Sequence, residues 1–147
     1  MIRQATAEDE TAIRQCAEAA YVRYVPLIGQ KPAPMIADFA RQIAQGRVFV
    51  SVRDGSLQGF IVFYPEDAHM MLENVAVFPE AAGGGIGKAL IRYCEDTARR
   101  MGIAAVRLYT NEKMVENLSI YPGMGYVETG RRVEDGFARV FFEKQLS

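Results

Sequence analysis

A glycine-rich segment that joins a β-rich run to an amphipathic helix constrains this chain more than any other feature. The segment, LENVAVFPEAAGGGIGKAL, extends from Leu72 to Leu90 and has glycine at positions 83, 84, 85 and 87. Glycine lets the backbone approach a ligand closely, and the free amides and positive dipole end of a helix favour phosphate oxygens. The segment therefore predicts an anion site, made by the backbone, for a phosphorylated cofactor.

Two other glycine motifs do not fit this loop. An NTPase phosphate loop needs a first glycine and a Ser or Thr after the lysine, and the chain has Ala82 and Ala89 at those positions. A dinucleotide-binding motif counted from Gly85 and Gly87 would need its third glycine at Leu90. A turn without a ligand is the third alternative, but ordering this many glycines costs considerable backbone entropy. A ligand that requires close backbone approach is therefore favoured.

The charges of the chain are balanced, with 17 basic and 18 acidic residues and a net charge of -1. No long block of like charges occurs, so neither a nucleic acid nor an anionic membrane is an expected partner. The first residues lack a basic-then-apolar signal pattern, and no apolar run approaches the ~20 residues that cross a bilayer. We therefore expect one cytoplasmic domain over residues 1–147. The sequence is compatible with a homodimer of this domain.

Cysteine and histidine offer little material for a metal site. Cys16 and Cys94 are far apart in the sequence, at apolar positions of predicted helices, and His69 is the one histidine. Such spacing forms neither a disulfide framework nor a zinc site. We predict two buried, reduced thiols and no metal.

Hydrophobic periodicity and turn residues predict one α/β domain of the α+β type. Its mixed, mostly antiparallel twisted sheet has about six or seven strands, with about four helices on its two faces. The predicted elements are a strand over Ile2–Ala5, a helix from Thr6 to about Tyr24, a helix over Met35–Gln45, a hairpin around Asp54 and Gly55, a strand over Met70–Phe78, a helix over Ile86–Arg100, a strand over Ala104–Thr110, a helix over Lys113–Tyr121 and a hairpin around Asp135 and Gly136.

The loop and the strand before it resemble the signature of a known family. The strand ends in a turn that contains Pro79, and Gly85 and Gly87 follow with one residue between them. This arrangement is similar to the GNAT superfamily of acyl-CoA-dependent N-acyltransferases, in which Gln or Arg, two residues, Gly, one residue, and Gly or Ala follow such a strand. The first position falls on Ala82, which lacks the usual side chain. The resemblance thus implies pyrophosphate binding by the backbone, without one side-chain contact.

A second segment, ENLSIYPGMGYVETG, resembles the same family's pattern of Asn, three residues and Tyr. Asn117 and Tyr121 carry it, and their spacing of four residues places both on one helical face. In the family, this face lines the groove for the pantetheine arm and the sulfur of CoA. Pro122 disfavours helical geometry at Tyr121, so we expect the helix to end there.

The resemblance implies acetyl-CoA as co-substrate, bound along the strand, in the loop and on the later helix. Lys88 lies in the first turn of the helix after the loop, where a cation is unfavourable unless an anion compensates it, so phosphate contact is expected, and a solvated lysine is the alternative. The implied cofactor-binding residues are Val75, Ala76, Val77, Ala82, Gly83, Gly84, Gly85, Ile86, Gly87, Lys88, Asn117 and Tyr121.

The resemblance also implies direct transfer of an acetyl group to a primary amine. Glu73 is the implied general base, Tyr121 the implied acid for the departing thiolate, and an N–H of Val75 or Val77 the donor to the thioester oxygen. Regular strand alternation aligns Glu73 with Met71, Val75 and Val77 on a largely apolar face. A carboxylate on such a face favours a catalytic role over a structural one.

The acceptor is expected to be a small-molecule amine, and a protein amino terminus or lysine is the alternative. In the family, the first helices and the last hairpin flank the acceptor groove. Tyr21 and Tyr24, three residues apart, favour core positions, whereas Glu134 and Asp135 could pair with a cationic amine. An acyl-CoA-binding sensor without turnover is the alternative of another class, although a candidate base and acid together favour chemistry.

Overall fold

The sheet of this protein has seven strands, flanked by five α-helices. In the computed structural model, which describes residues Met1–Ser147, the strands are β1 (Ile2–Gln4), β2 (Val48–Arg53), β3 (Ser56–Glu66), β4 (His69–Val77), β5 (Ala105–Asn111), β6 (Val127–Glu134) and β7 (Phe137–Gln145). The helices are α1 (Glu10–Tyr21), α2 (Val25–Ile28), α3 (Phe39–Ala44), α4 (Ile86–Arg100) and α5 (Val115–Gly123). The predicted fold class is confirmed.

The strands follow the order β1-β2-β3-β4-β5-β7-β6 across the sheet. All neighbours run antiparallel except β4 and β5, which run parallel and pair only where residues 70–72 lie beside residues 106–108. Beyond that contact the two strands diverge, so the middle of the sheet opens at their carboxyl ends. Ligands of open α/β sheets bind at such places.

Two-residue turns close both predicted hairpins. Asp54 and Gly55 have φ angles of 52° and 78°, and Asp135 and Gly136 have φ angles of 52° and 79°. Positive φ at both central residues gives a turn whose twist matches that of the flanking strands, and Asp-Gly is a preferred sequence for it. Both hairpin predictions are confirmed.

The two faces of the sheet carry separate hydrophobic cores. On one face, α1 and α3 bury Ile13, Cys16 and Phe39 against the strands, including Phe60 of β3. On the other face, α4 and α5 pack over a second set that contains Leu90, Ile91, Cys94, Leu108 and Tyr121. Both cysteines are buried and unpaired, as predicted. None of the helices combines the length and the hydrophobicity that a membrane-spanning helix requires.

A bulge in β4 overturns the predicted alignment of Glu73. Val62 of β3 pairs with Asn74, whereas the next residue, Phe63, pairs with Leu72, so Glu73 is the extra residue. Leu72 belongs to the core under α4, while Ala76 belongs to the core under α1. The strand therefore exchanges its two faces at the bulge. Glu73 does not continue the row of Val75 and Val77, contrary to the regular alternation predicted.

The predicted end of α5 at Tyr121 is also wrong, because the helix continues to Gly123 with Pro122 inside it. Proline lacks only its own N–H, and this close to the end of a helix that loss affects few hydrogen bonds. The carbonyl oxygens of Tyr121 and Pro122 still accept hydrogen bonds, from the amides of Met124 and Gly125 at 3.0 and 3.1 Å. The last turn is therefore completed without the proline donor.

The first helices are shorter than predicted. The α1 helix ends at Tyr21 and continues as a 3-10 turn over Val22–Tyr24, and a short α2 lies between the first two predicted helices. The α3 helix begins at Phe39 rather than Met35, because the Asp38 side chain accepts a hydrogen bond from the Arg41 amide at 3.1 Å and so caps it there.

Candidate active site

Two cavities adjoin the gap between β4 and β5. The larger, of about 620 Å³, lies at the start of α4 and is called here the glycine-loop cavity. The smaller, of about 340 Å³, lies on the α3 side and is called the Glu73 cavity, after the carboxylate in its wall. Four residues line both cavities, namely Tyr21, Val75, Asn117 and Tyr121. The two cavities therefore meet at the diverging edge of β4.

The glycine loop forms one wall of the larger cavity. Gly83 and Gly85 have φ angles of +86° and +80°, which other residues rarely adopt, and Gly85 immediately precedes α4. A Cβ atom at Gly87 would lie 3.6 Å from Cγ2 of Val77. The first turn of α4 thus directs its free amides into the cavity, as an anion site requires.

Most of the residues predicted to hold the cofactor line this cavity. The exception is Gly84, which lies in the loop without lining it. The lining residues among those predicted are Val75, Ala76, Val77, Ala82, Gly83, Gly85, Ile86, Gly87, Lys88, Asn117 and Tyr121. The structure thus brings together segments 75–88 and 117–121, which are separate in the sequence.

The exposed edge of β4 points its backbone groups into the gap. The Phe78 amide donates to the Gln58 carbonyl oxygen at 2.9 Å, toward the β3 side, and alternate residues of a strand point their backbone groups the opposite way. The Val75 carbonyl oxygen accordingly lies 2.9 Å from the Tyr21 hydroxyl, on the side away from β3. The amides of Val75 and Val77 therefore also face the gap, where β5 no longer pairs with β4.

The α5 helix brings a phenol to the point where the cavities meet. Tyr121 is 5% exposed, and its ring packs against Tyr126 and Phe142 with centroid distances of 5.8 and 5.7 Å. Burial raises the pKa of Tyr121, so the phenol stays protonated through the neutral range. Its hydroxyl has no protein partner and is free to donate a hydrogen bond to a ligand.

Asn117 lies one helical turn before Tyr121 and is held in place. Its Nδ2 donates to Oγ1 of Thr110 at 3.3 Å, and Thr110 belongs to β5. This contact connects α5 to the carboxyl end of β5. The predicted pairing of Asn117 and Tyr121 on one helical face is confirmed, since both line the same two cavities.

Glu73 lies in the wall of the smaller cavity only. Its carboxylate accepts a hydrogen bond from the Tyr64 hydroxyl at 3.0 Å and another from the side-chain amide of Gln42 in α3. Two hydrogen bonds of this kind fix the orientation of the carboxylate. The bulge thus places an oriented carboxylate beside the shared residues of the two cavities.

Several residues of the site were absent from the sequence-based set. Asn74 accepts from Tyr21 at 2.7 Å and donates to the carbonyl oxygen of Pro34 at 3.0 Å, so it joins α1 to the segment above the Glu73 cavity. Tyr21 is buried, as expected for a core residue, but it also lines the Glu73 cavity. Arg139 of β7 lines the same cavity. These residues come together only in the folded chain, so no local sequence pattern predicts them.

Tyr24 and its partners line the opposite side of the glycine-loop cavity. Its hydroxyl donates to the carboxylate of Glu116, and the Arg23 guanidinium donates to the same hydroxyl at 2.7 Å. Burial, followed by the Glu116 hydrogen bond, raises the pKa of Tyr24. The predicted core position of Tyr24 is correct for its ring, whereas its hydroxyl connects the turn after α1 to α5.

Comparison with known proteins identifies the family of this chain. The family described as "Acetyltransferase (GNAT) family" matches residues 12–126 of the chain. The chain belongs to this family. The resemblance inferred from the glycine loop and from the pair Asn117 and Tyr121 is thereby confirmed.

Individual relatives support the fold at low sequence identity. The chain is 30% identical over 86 residues to an IAA acetyltransferase of Azospirillum brasilense, and the alignment covers 57% of this chain and 56% of that protein. It superimposes on the PaiA N-acetyltransferase from Thermoplasma acidophilum in complex with coenzyme A with a TM-score of 0.79, at 19% identity, over 99% and 98% of the two chains. For the ribosomal-protein-S18-alanine N-acetyltransferase from Escherichia coli, the TM-score is 0.77 at 17% identity, over 100% and 94%.

The matched segment spans about half the length of the curated relatives. The solved structures, in contrast, match over nearly the whole chain, and their low identity makes them evidence of the fold. The fold is therefore shared with the two solved structures, and the family of this chain rests on the match over residues 12–126.

Proposed function

We propose that this chain is an N-acetyltransferase that moves the acetyl group of acetyl-CoA to a primary amine, and that the amine belongs to a small molecule. The observation that carries the proposal is the pair of cavities that meet at Tyr21, Val75, Asn117 and Tyr121. A thioester bound on one side and an amine bound on the other would face each other there. Both substrates would be bound at once, and transfer would be direct.

Acetyl-CoA fits the larger cavity by its chemistry. The pyrophosphate would lie at the first turn of α4, where Gly85 and Gly87 leave the backbone amides accessible and Lys88 adds a positive charge. The pantetheine arm would run along the edge of β4 between Val77 and Val75. Its thioester would then end beside Tyr121. The PaiA protein, which has the same fold, was solved in complex with coenzyme A, and this supports CoA as the ligand.

Glu73 would remove the proton that the amine must lose. An alkyl amine has a pKa of about 10 and is mostly protonated at neutral pH, so a base near the reacting nitrogen accelerates attack. The carboxylate is oriented by Tyr64 and Gln42 and lies in the wall of the acceptor side. It would take the proton directly or through a water molecule.

The backbone and Tyr121 would act on the thioester. As the amine nitrogen bonds to the thioester carbon, the carbonyl oxygen gains negative charge, which the gap-facing amide of Val75 can stabilise. The carbon–sulfur bond then breaks, Tyr121 gives its proton to the sulfur, and the nitrogen loses the extra proton that it carries after attack, which returns to the phenolate directly or through water. The products are an amide and the free thiol of CoA. A phenol whose pKa is raised by burial is present in the donor form that this step requires.

A small acceptor is supported by the size and walls of the Glu73 cavity. Its volume of about 340 Å³ is at the lower end of ligand sites, and residues 32–34 and 37 cover it from the α3 side. A protein acceptor is the alternative, since the fold neighbour from Escherichia coli is named for a ribosomal protein. A sensor that binds acetyl-CoA without turnover is the alternative of another class.

Calorimetry with acetyl-CoA followed by a thiol-release assay distinguishes the three functions. We expect acetyl-CoA to bind at one site per chain. We expect thiol release to have a higher kcat/KM with small primary amines than with peptides whose first residue resembles those amines. Preferential release with peptides would replace the small-molecule acceptor by a protein one. Tight binding without thiol release on either panel would identify a sensor.

A further inference from the structure

We infer that the acceptor amine carries a carboxylate, which the guanidinium of Arg139 binds inside the Glu73 cavity. This inference rests on the proposed function and adds the chemical class of its acceptor. Arg139 lies on β7, on the wall formed with Tyr109 and Phe137. It therefore reaches the acceptor side of the site from an element that contributes nothing to the glycine-loop cavity.

The Arg139 side chain is ordered and largely removed from solvent. It is 11% exposed, and its guanidinium lies over the ring of Tyr109 at 4.5 Å and near the ring of Phe137 at 5.6 Å. From outside the cavity, Glu134 accepts from Nη1 at 3.2 Å and Asp135 lies 3.9 Å away. Stacking and these acids hold the guanidinium plane in one orientation.

Most of the donors of Arg139 have no protein partner. The Nη1 contact to Glu134 is the one hydrogen bond that its side chain makes, so Nε and Nη2 remain available. Neither nitrogen is sealed in the interior, because the buried side-chain atoms without partners are Oε1 of Gln42 and Nε2 of His69. Both nitrogens therefore keep some access to solvent, and Arg139 lines the cavity. A planar fork of N–H groups matches a carboxylate, which can accept two parallel hydrogen bonds.

The cavity has one negative and one positive side chain in its wall, Glu73 and Arg139. Tyr109 lines the same cavity, its ring lies under the Arg139 guanidinium at 4.5 Å, and burial raises the pKa of its hydroxyl. An amino acid has the complementary pair of groups, an amine for Glu73 and a carboxylate for Arg139. A second ammonium group would instead meet the guanidinium, and like charges in a partly desolvated site repel each other.

The test compares amino acids with their own primary amides. Glycine, β-alanine and γ-aminobutyrate are each assayed by thiol release against the corresponding amide, with a diamine of similar length as a third probe. The variants are Arg139→Gln, Arg139→Lys and, as the matched control, Arg132→Gln. Arg132 lies on the neighbouring strand over the ring of Phe141 at 4.0 Å, is 62% exposed and lines neither cavity. Comparing ratios between variants cancels the difference in amine basicity between acid and amide.

We expect the wild-type protein to prefer at least one acid over its amide, and Arg139→Gln to lower that preference by about 10–100-fold in kcat/KM, as for the loss of a charge-assisted pair. Arg139→Lys should retain part of the preference, and Arg132→Gln all of it. An equal loss on acids and amides would make Arg139 a structural residue and overturn the inference. So would a wild-type preference for the diamine.

A binding measurement separates this inference from the proposed function. The acid and amide of each pair are titrated into the wild-type protein and Arg139→Gln in the presence of CoA, with heat as the readout. Tighter binding of an acid that Arg139→Gln removes would support the carboxylate site even if no amine were acetylated, and the proposed function alone would fail. Equal binding of acid and amide by both proteins would remove the carboxylate site, whatever the thiol-release assay gives.

Discussion

The two cavities of this protein are built in different ways. The glycine-loop cavity takes most of its wall from the continuous segment between Val75 and Ile91, which includes Gly83, Gly85 and Gly87. The Glu73 cavity takes its wall from α1, the segment before α3, β4, β5, α5 and β7. A wall that comes from one continuous segment can be encoded locally, whereas a wall assembled from many elements depends on how those elements pack.

The largest expected effect comes from the acceptor side. Replacement of Glu73 by Gln keeps the size of the side chain and removes the base, and we expect kcat/KM to fall about 10³-fold. The affinity for acetyl-CoA, measured by calorimetry, should not change, because Glu73 does not line the glycine-loop cavity. Glu66→Gln, beside the turn that joins β3 to β4 and outside both cavities, is the control. An unaltered pH–rate profile in Glu73→Gln would exclude the base role.

The residue shared by both cavities should give the next effect. Tyr121→Phe keeps the ring that packs on Tyr126 and Phe142 and removes the proton donor, so we expect kcat to fall about 10²-fold. Burial raises the pKa of Tyr121, which keeps the phenol protonated around neutral pH. The fall in kcat should therefore be the same at each pH from about 6 to about 9. Retention of full turnover would assign the proton transfer to another group.

A comparison of the two ends of α4 distinguishes an effect of the glycine loop on acetyl-CoA binding from an effect of backbone strain on stability. Gly85 and Gly102 have φ angles of +80° and +74°, and an added Cβ meets nothing within 4 Å at either position. Ala at either place should cost about 1 kcal/mol of unfolding free energy. Gly85→Ala should also weaken acetyl-CoA binding about tenfold, whereas Gly102→Ala should not. Equal affinities for acetyl-CoA would show that the loop needs only flexibility.

The smallest expected effect lies outside both cavities. Asp9 accepts two hydrogen bonds from Arg3, at 2.8 and 3.0 Å, and one from the Thr6 amide at 2.8 Å. The Arg3 hydrogen bonds lower the pKa of Asp9 from 3.8 to about 2. Because the carboxylate is favoured in the folded state, its contribution is present above pH 3.8 and is lost as the pH falls toward 2.

We therefore expect Asp9→Asn to lower the unfolding free energy by about 1 kcal/mol at neutral pH, since water screens part of the interaction. Urea unfolding at several pH values would show the difference shrinking below pH 3.8. Asp96→Asn removes a more exposed pair with Arg99 and should have less effect. Catalysis should be unchanged in both variants, and a loss of activity in Asp9→Asn would show that α1 transmits strain to the site.

Sequence patterns predicted the elements that local physics controls. The bounds of α4, Ile86–Arg100, coincide with the prediction, because Gly85 begins the helix and its apolar period is regular. Both Asp-Gly turns were also predictable, since two positive φ angles in succession strongly restrict the residue types. The bulge at Glu73 was not, because the register of β4 is set by its pairing with β3 rather than by its own residues.

By itself, the amino-acid sequence determined the fold class through the order and periodicity of its elements, the glycine turn before α4, and the helical face that carries Asn117 and Tyr121. Only the tertiary structure decided that β4 and β5 diverge, that the bulge turns Glu73 toward the smaller cavity, and that Arg139 stacks on Tyr109 there. These are long-range contacts. Their energies depend on which elements pack together, and local periodicity carries no information about that.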